Sequence, residues 1–144
     1  MINSFQGEWR WLSNFWLSQI VISNVSYRSV EHFYQVMKTV DLDWRIAIRN
    51  CPTPGKAKRL ALKAPLRPNW ETIQIPVMWA GLTAKFDQHP YLAKKLLATD
   101  PQELIEGNTW NDTFWGVYKG EGQNNLGKLL MRKREHLGGS ITPI

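Results

Sequence analysis

The sequence predicts an α+β fold: a mainly helical single domain with a small β element. Three observations carry that expectation. Apolar residues recur at three- and four-residue intervals through most of the chain, as on the buried face of a helix. One stretch instead places β-branched residues on either side of a Ser-Asn turn, as in a hairpin. The third is size and composition: 144 residues, 43% of them hydrophobic and 21% charged, can bury a sizeable core and do not read as disordered. No internal repeat, low-complexity segment or linker divides the chain, so residues 1–144 read as one domain.

Each element follows from its local residues. Residues 17–28 read as the hairpin, turning at Ser23-Asn24. Ser29 stands at the N-cap of a helix reaching Lys38. At about 100° per residue, that helix gathers Glu31, Gln35 and Lys38 within about 60°. Tyr34, Thr39 and His32 widen this face, and Val30, Phe33, Val36 and Met37 fill the opposite one. Helices are expected at 44–50, stopped before Pro52-Thr53-Pro54-Gly55, and at 56–63, stopped by Pro65. Pro76 suits a first helical position, giving a helix at 76–88 with Met78, Leu82 and Phe86 on one face and Lys85 beside it. After His89-Pro90, a helix at 91–99 turns Leu92, Leu96 and Leu97 inward. Asp100-Pro101 opens a turn, and residues 103–106 form a short strand. Residues 108–125 form a long loop rich in Gly, Asn and Trp, and loops of that length are usually functional or disordered. Trp110, Phe114, Trp115 and Tyr118 argue against disorder. The last helix starts at Asn125 as N-cap and ends near 137 before Gly138-Gly139, with Leu126, Leu129, Leu130 and Leu137 inward.

Composition limits the function classes. A net charge of +6 and a pI near 9.6 favour an anionic partner such as a phosphate, a nucleotide or nucleic acid. Cations cluster at Lys56-Lys58-Arg59-Lys63-Arg67 and Arg132-Lys133-Arg134. No apolar run approaches the roughly 18 residues of a membrane span. The first residues have neither a basic n-region nor an apolar h-region, so the expectation is a cytoplasmic protein without a signal peptide. Cys51 is the single cysteine and cannot form an internal disulfide. No Cys/His cluster has metal-ligand spacing; the chain is expected to need neither metal nor cofactor. Eight tryptophans exceed what so small a core requires, so some are expected to line a cleft where a flat ring stacks.

The chemistry-bearing residues form islands. Leu12-Ser13-Asn14-Phe15 sets a polar pair among aromatics. Glu31, Gln35 and Lys38 bring a carboxylate, an amide and an amine to one face, a combination able to hold a substrate and move protons. A solvated helix face has the same pattern. Lys38 is either an ordinary surface cation or, in an apolar pocket, an amine of depressed pKa able to form an imine. Asp112 is either a turn residue making a local Asx bond or a carboxylate in a partly dry cleft beside Trp115. Gly120, Gly122, Asn124 and Asn125 lead a Gly-rich backbone into a helix N-terminus. That arrangement either cradles phosphate or merely caps the helix.

Taken in order, these islands resemble the NADAR family, also called YbiA-like. The matching stretches begin with Leu12-Ser13-Asn14-Phe15 and Tyr27-x-Ser29-x-Glu31-His32-x-Tyr34-Gln35-x-x-Lys38. Arg67-x-Asn69-Trp70, Met78, Lys85-Phe86-x-Gln88-His89 and Leu96-Leu97-x-Thr99 follow. Asp112-x-x-Trp115-Gly116 and Gly122-x-Asn124-x-Leu126-Gly127-x-x-Leu130-Met131-x-x-Arg134 complete the set, so the resemblance covers about residues 5–137. The chain departs from the family pattern at Ala61-Leu62 and Val117-Tyr118.

The resemblance implies a YbiA-like fold and an N-glycosidase that needs no cofactor. Its substrate would join ribose C1 to the exocyclic amine of a base. Two kinds are implied: ADP-ribosylated guanine in nucleic acid, and a phosphoribosylamino-pyrimidine intermediate of riboflavin biosynthesis. By the same resemblance Lys38 would be the Schiff-base nucleophile, and Glu31 and Asp112 would carry protons. Ser13, Asn14, Phe15, Gln35, Trp70, Trp115 and Gly116 would hold ribose and base, and Lys85, Gly122 and Asn124 would face phosphate. Partners would be that phosphorylated ribosyl compound or modified nucleic acid, with no membrane and no protein partner. The alternative is a non-catalytic module that binds ADP-ribose, a nucleotide or nucleic acid through the same residues.

Overall fold

A computed structural model describes residues 1–141. The chain folds into two compact units, residues 14–88 and residues 1–13 with 89 onward. The fold class is α+β, as the sequence predicts: six α-helices and two small two-stranded pairings among the described residues.

In the first unit, strands β1 (Ile20–Ile22) and β2 (Val25–Tyr27) form the expected antiparallel hairpin. Ser23 and Asn24 both take positive φ, 51° and 66°, which a two-residue hairpin turn requires. Gln88 extends this ladder, donating to the Val21 carbonyl and accepting from the Val21 amide, each at 2.9 Å. Helix α1 (Val30–Val36) is capped by Ser29, whose hydroxyl accepts from the His32 amide at 3.1 Å. The cap is locked further. Ser29 Oγ also lies 2.7 Å from His32 Nδ1, and His32 Nε2 is 2.9 Å from the Cys51 carbonyl. Every residue of α1 is buried, so its polar side is no solvated face.

Helices α2 (Leu42–Arg49) and α3 (Pro54–Ala61) start two residues earlier than spacing predicts, at Asp41 and Thr53 caps that accept from the Trp44 and Lys56 amides. Helix α4 (Trp70–Gln88) corrects the sequence reading more strongly, because Pro76 lies inside it rather than at its start. The Asn69 carbonyl accepts from the Thr72 and Ile73 amides and opens the helix a turn and a half before the proline.

The second unit opens with a 3-10 turn over Gly7–Leu12. It continues with α5 (Pro90–Ala98), β3 (Gly107–Asn108), β4 (Val117–Tyr118) and α6 (Asn125–His136). The strand expected at 103–106 is reduced to a bridge between Ile2 and Leu104. Pairing moves on to β3, which runs parallel to β4. Arg134, 1% exposed, clamps this unit. Its guanidinium donates to Thr99 Oγ1 and the Gln102 carbonyl at 3.0 and 2.8 Å and pairs with Asp100 at 3.4 Å. Among the described residues, no helix is long and apolar enough to cross a membrane.

Candidate active site

The first unit brings Glu31, Gln35, Lys38, Asn14 and Tyr34 together. Gln35 Nε2 donates to Glu31 Oε2 at 2.8 Å, with Glu31 7% and Gln35 1% exposed. An ionised carboxylate only accepts, so the amide nitrogen must face Glu31. Gln35 Oε1 is then left as a buried acceptor with no hydrogen-bond partner, and Asn14 Oδ1 is another. Asn14 is tied to the same place: its carbonyl accepts from the Glu31 amide at 3.1 Å, and its Nδ2 points to Met78 Sδ at 3.3 Å. Buried acceptors without donors are uncommon and costly, and two on residues bonded to Glu31, one through its carboxylate and one through its backbone amide, mark a place that a donor-bearing ligand completes.

Lys38 does not ride on the helix, as the sequence reading expects. It lies in the turn after α1, where its amide bonds to the Gln35 carbonyl at 3.2 Å and its carbonyl accepts from the Arg67 amide at 2.8 Å. That outside partner draws the chain off the helical path. The half-buried ammonium sits 5.3 Å from the centre of the Tyr34 ring. Burial pulls its pKa below the usual 10.5; Glu31 opposes this and Lys58 reinforces it. Lys58 is the neighbour that the motifs miss, and Arg67, which they include, enters through its backbone amide. The signal of Lys58 in the sequence is the acid-free basic run around it.

Lys85 departs from its expected role. It is 0% exposed and lies within the first unit, where burial lowers its pKa to about 7. An enclosed amine presents no surface to a phosphate, and of the two lysines of depressed pKa only Lys38 is open to a ligand. Lys85 has a consequence for stability instead. Between about pH 7 and 10.5 the unfolded chain binds more protons at this site than the folded one, so stability should rise with pH across that window. Urea midpoints at pH 7 and pH 9 measure the rise. Lys85→Met should flatten it, and an unchanged slope in that variant would show that the pH dependence has another source.

Trp70 is 6% exposed and meets Tyr34 edge-on, with ring centroids 5.1 Å apart. It is a packed core ring, not an open platform for a base. Phe15 remains half-buried. Of the eight tryptophans, Trp11 is also core, and Trp110 alone is exposed, at 51%.

Ser13, Asp112, Trp115, Gly116, Gly122 and Asn124 belong to the second unit. Here the long loop is folded by its own polar groups. Asn108 and Asp112 bond reciprocally: Asn108 Nδ2 donates to the Asp112 carbonyl at 2.9 Å, and Asn108 Oδ1 accepts from the Asp112 amide at 3.0 Å. Asp112 Oδ1 accepts from the Phe114 and Trp115 amides at 3.1 and 2.9 Å, the Asx turn of the structural reading. Its Oδ2 makes no hydrogen bond among the described residues.

The phosphate cradle expected at the start of α6 does not form. The amides of Gln123, Asn124, Asn125 and Leu126 donate to the carbonyls of Thr113, Gly116, Phe114 and Trp115. Asn124 is occupied as well, its Oδ1 accepting from the Glu106 amide and its Nδ2 donating to the Leu104 carbonyl. The returning segment 113–116 supplies the acceptors that a phosphate would have supplied.

The NADAR domain model matches residues 3–138. The chain is 41% identical to N-glycosidase YbiA of Escherichia coli over 128 residues, 87% of this chain and 79% of that protein. It is 36% identical to a riboflavin biosynthesis protein of Vibrio vulnificus, across 88% of this chain but 35% of that longer protein. The NMR structure of E. coli YbiA superposes with a TM-score of 0.83 at 37% identity, covering 95% of this chain and 86% of that one.

Proposed function

The chain belongs to the NADAR family, and from that premise we propose that it is an N-glycosidase cleaving the bond between ribose C1 and the exocyclic amine of a base. The observation that carries the reading is the buried Glu31–Gln35 pair with Lys38 beside it. A merely solvated helix face has no reason to bury a carboxylate, and a binding module has no need of an amine whose protonated form is disfavoured.

The chemistry follows from the bond. A ribosylated amine opens its sugar ring to an imine at C1. Neutral Lys38 Nζ adds there, a proton passes to the base nitrogen, and the C1–base nitrogen bond breaks. Lys38 then holds the open sugar as a protonated Schiff base, which water hydrolyses to the aldehyde and the free amine. Glu31 is the carboxylate placed to take and return the proton. Asn14 Oδ1 and Gln35 Oε1 accept from sugar hydroxyls, and Ser13 and Phe15, which flank Asn14 in the chain, complete the sugar-binding motif. Asp112, through Oδ2, is the proposed second proton carrier on the family motif alone, with Trp115 and Gly116 in the same motif.

Two substrates present that bond: ADP-ribosylated guanine in nucleic acid, and a phosphoribosylamino-pyrimidine intermediate of riboflavin biosynthesis. The names of the riboflavin relatives favour the second, and the charge of +6 favours the first. Incubating the protein with each and detecting products by mass tests the reading. Release of free base and sugar from one of them is expected. Ligand binding at micromolar concentration with both compounds intact after long incubation would leave only the binding module.

A further inference from the structure

The positive charge of the chain is concentrated in one stretch, most of which the proposed reaction does not use. Between residues 44 and 70 there are seven Lys and Arg residues and no Asp or Glu. Three of them, Arg45, Arg49 and Arg67, hydrogen-bond to backbone carbonyls. The other four, Lys56, Lys58, Arg59 and Lys63, are exposed, and their side chains make no hydrogen bond or ion pair among the described residues. Four uncompensated cations on one short helix and its following turn repel one another, and a bound anion relieves that repulsion.

Their arrangement says what kind of anion. Lys56, Arg59 and Lys63, with Leu60 and Cys51, line a depression of about 420 Å³. That volume is in the range that accepts a nucleotide-sized group, roughly 300–1,000 Å³. Lys58 lies about 160° from Lys56 around the helix, on the side where Lys38 feels its charge. Cations therefore occupy opposite sides of a helix about 10 Å wide. A single phosphoribosyl compound held at Lys38 reaches only the Lys58 side and leaves the depression unfilled. A strand with a phosphate on every nucleotide meets both.

We propose that α3 and the turn after it dock the phosphodiester backbone of a nucleic-acid strand, which runs from the Lys56–Arg59–Lys63 depression round to Lys38. This deepens the N-glycosidase reading, since it selects nucleic acid as the carrier of the ribosylated base, but the docking is measurable without turnover.

The test is fluorescence anisotropy with an unmodified, labelled 20-nucleotide single strand, as DNA and as RNA, at 50 mM and 200 mM salt. The wild-type protein is expected to bind at the lower salt and weaken steeply at the higher. Lys56→Glu/Arg59→Glu/Lys63→Glu should lose at least tenfold in affinity. The milder Lys56→Gln/Arg59→Gln/Lys63→Gln should reduce the salt slope by about 2, at roughly 0.7 per lost phosphate contact on a single strand. These positions are exposed, so both variants should retain the wild-type melting temperature and any turnover of the free phosphoribosylamino-pyrimidine. Equal affinity in wild type and both variants overturns the proposal. So does retention on phosphatidylserine vesicles with no oligonucleotide binding, or no binding of any strand at 50 mM salt. Should neither glycosidic substrate release base, the glycosidase reading fails while the anisotropy still decides the docking.

Discussion

Lys38→Ala is expected to lower base release by at least about 10³-fold while the protein still folds, with a melting temperature within a few degrees of wild type. The size follows from losing the nucleophile rather than a proton carrier, whose removal alone is worth about 10²–10⁴. The fold should tolerate the change because Lys38 is only half-buried and its backbone bonds to Gln35 and Arg67 do not involve the side chain. Lys38→Arg separates charge from nucleophilicity. It keeps a cation over the Tyr34 ring but cannot form the imine, so it should be as inactive as alanine. Borohydride added during turnover should fix the sugar on Lys38 as a secondary amine, visible by peptide mass. Active enzyme that yields no adduct rules out the Schiff base.

The pH profile carries an independent sign. Lys38 attacks only when neutral, and burial places its pKa below 10.5, so the acid limb of kcat lies below that value. The Glu31 carboxylate favours the charged ammonium and so raises that pKa. Glu31→Gln should therefore move the acid limb to lower pH even as kcat falls. A limb that stays put would mean that the titrating group is not Lys38.

What the sequence reveals of this molecule is what neighbouring residues decide. The hairpin is legible because Ser23 and Asn24 tolerate the positive φ of its turn, and α1 because Ser29 caps it within three residues. Glu31, Gln35 and Lys38 are legible as a group because a helical turn and the bend after it keep them close. Partners remote in sequence are not legible. Lys85 sits beside Phe86 in a pattern that fits an accessible cation as well as a buried one, and only the packing around α4 encloses it. The Gly-rich run before α6 has the local composition of an anion cradle. Nothing in it announces that the carbonyls of residues 113–116 will take its amides. Pro76 reads as a helix start because its missing N–H suits that position. The carbonyl of Asn69 starts the helix earlier, and the proline is carried inside it.

Gly116→Ala is expected to be strongly destabilising, lowering stability by about 3 kcal/mol, or roughly 10 °C in melting temperature. Gly116 is fixed by lack of room. A Cβ there would strike the carboxylate and the backbone carbonyl of Glu106 and crowd the Asn108 amide. The Glu106 side chain can swing away, but its carbonyl accepts from the Val117 amide at 2.9 Å and its amide donates to Asn124 at 2.9 Å. Making space means moving both bonds, and with them the join between β3, β4 and the start of α6. Gly120 in the same loop supplies the control. It has positive φ, 80°, but nothing within 4 Å of a Cβ, so Gly120→Ala should cost only about 1 kcal/mol of backbone strain. Calorimetry on the two variants separates crowding from conformation. Activity per folded molecule then separates structure from substrate contact at Gly116. If Gly116→Ala melts like wild type yet loses turnover, the glycine is held open for a ligand. If it melts early and its folded fraction keeps turnover, the glycine is there to make room for Glu106.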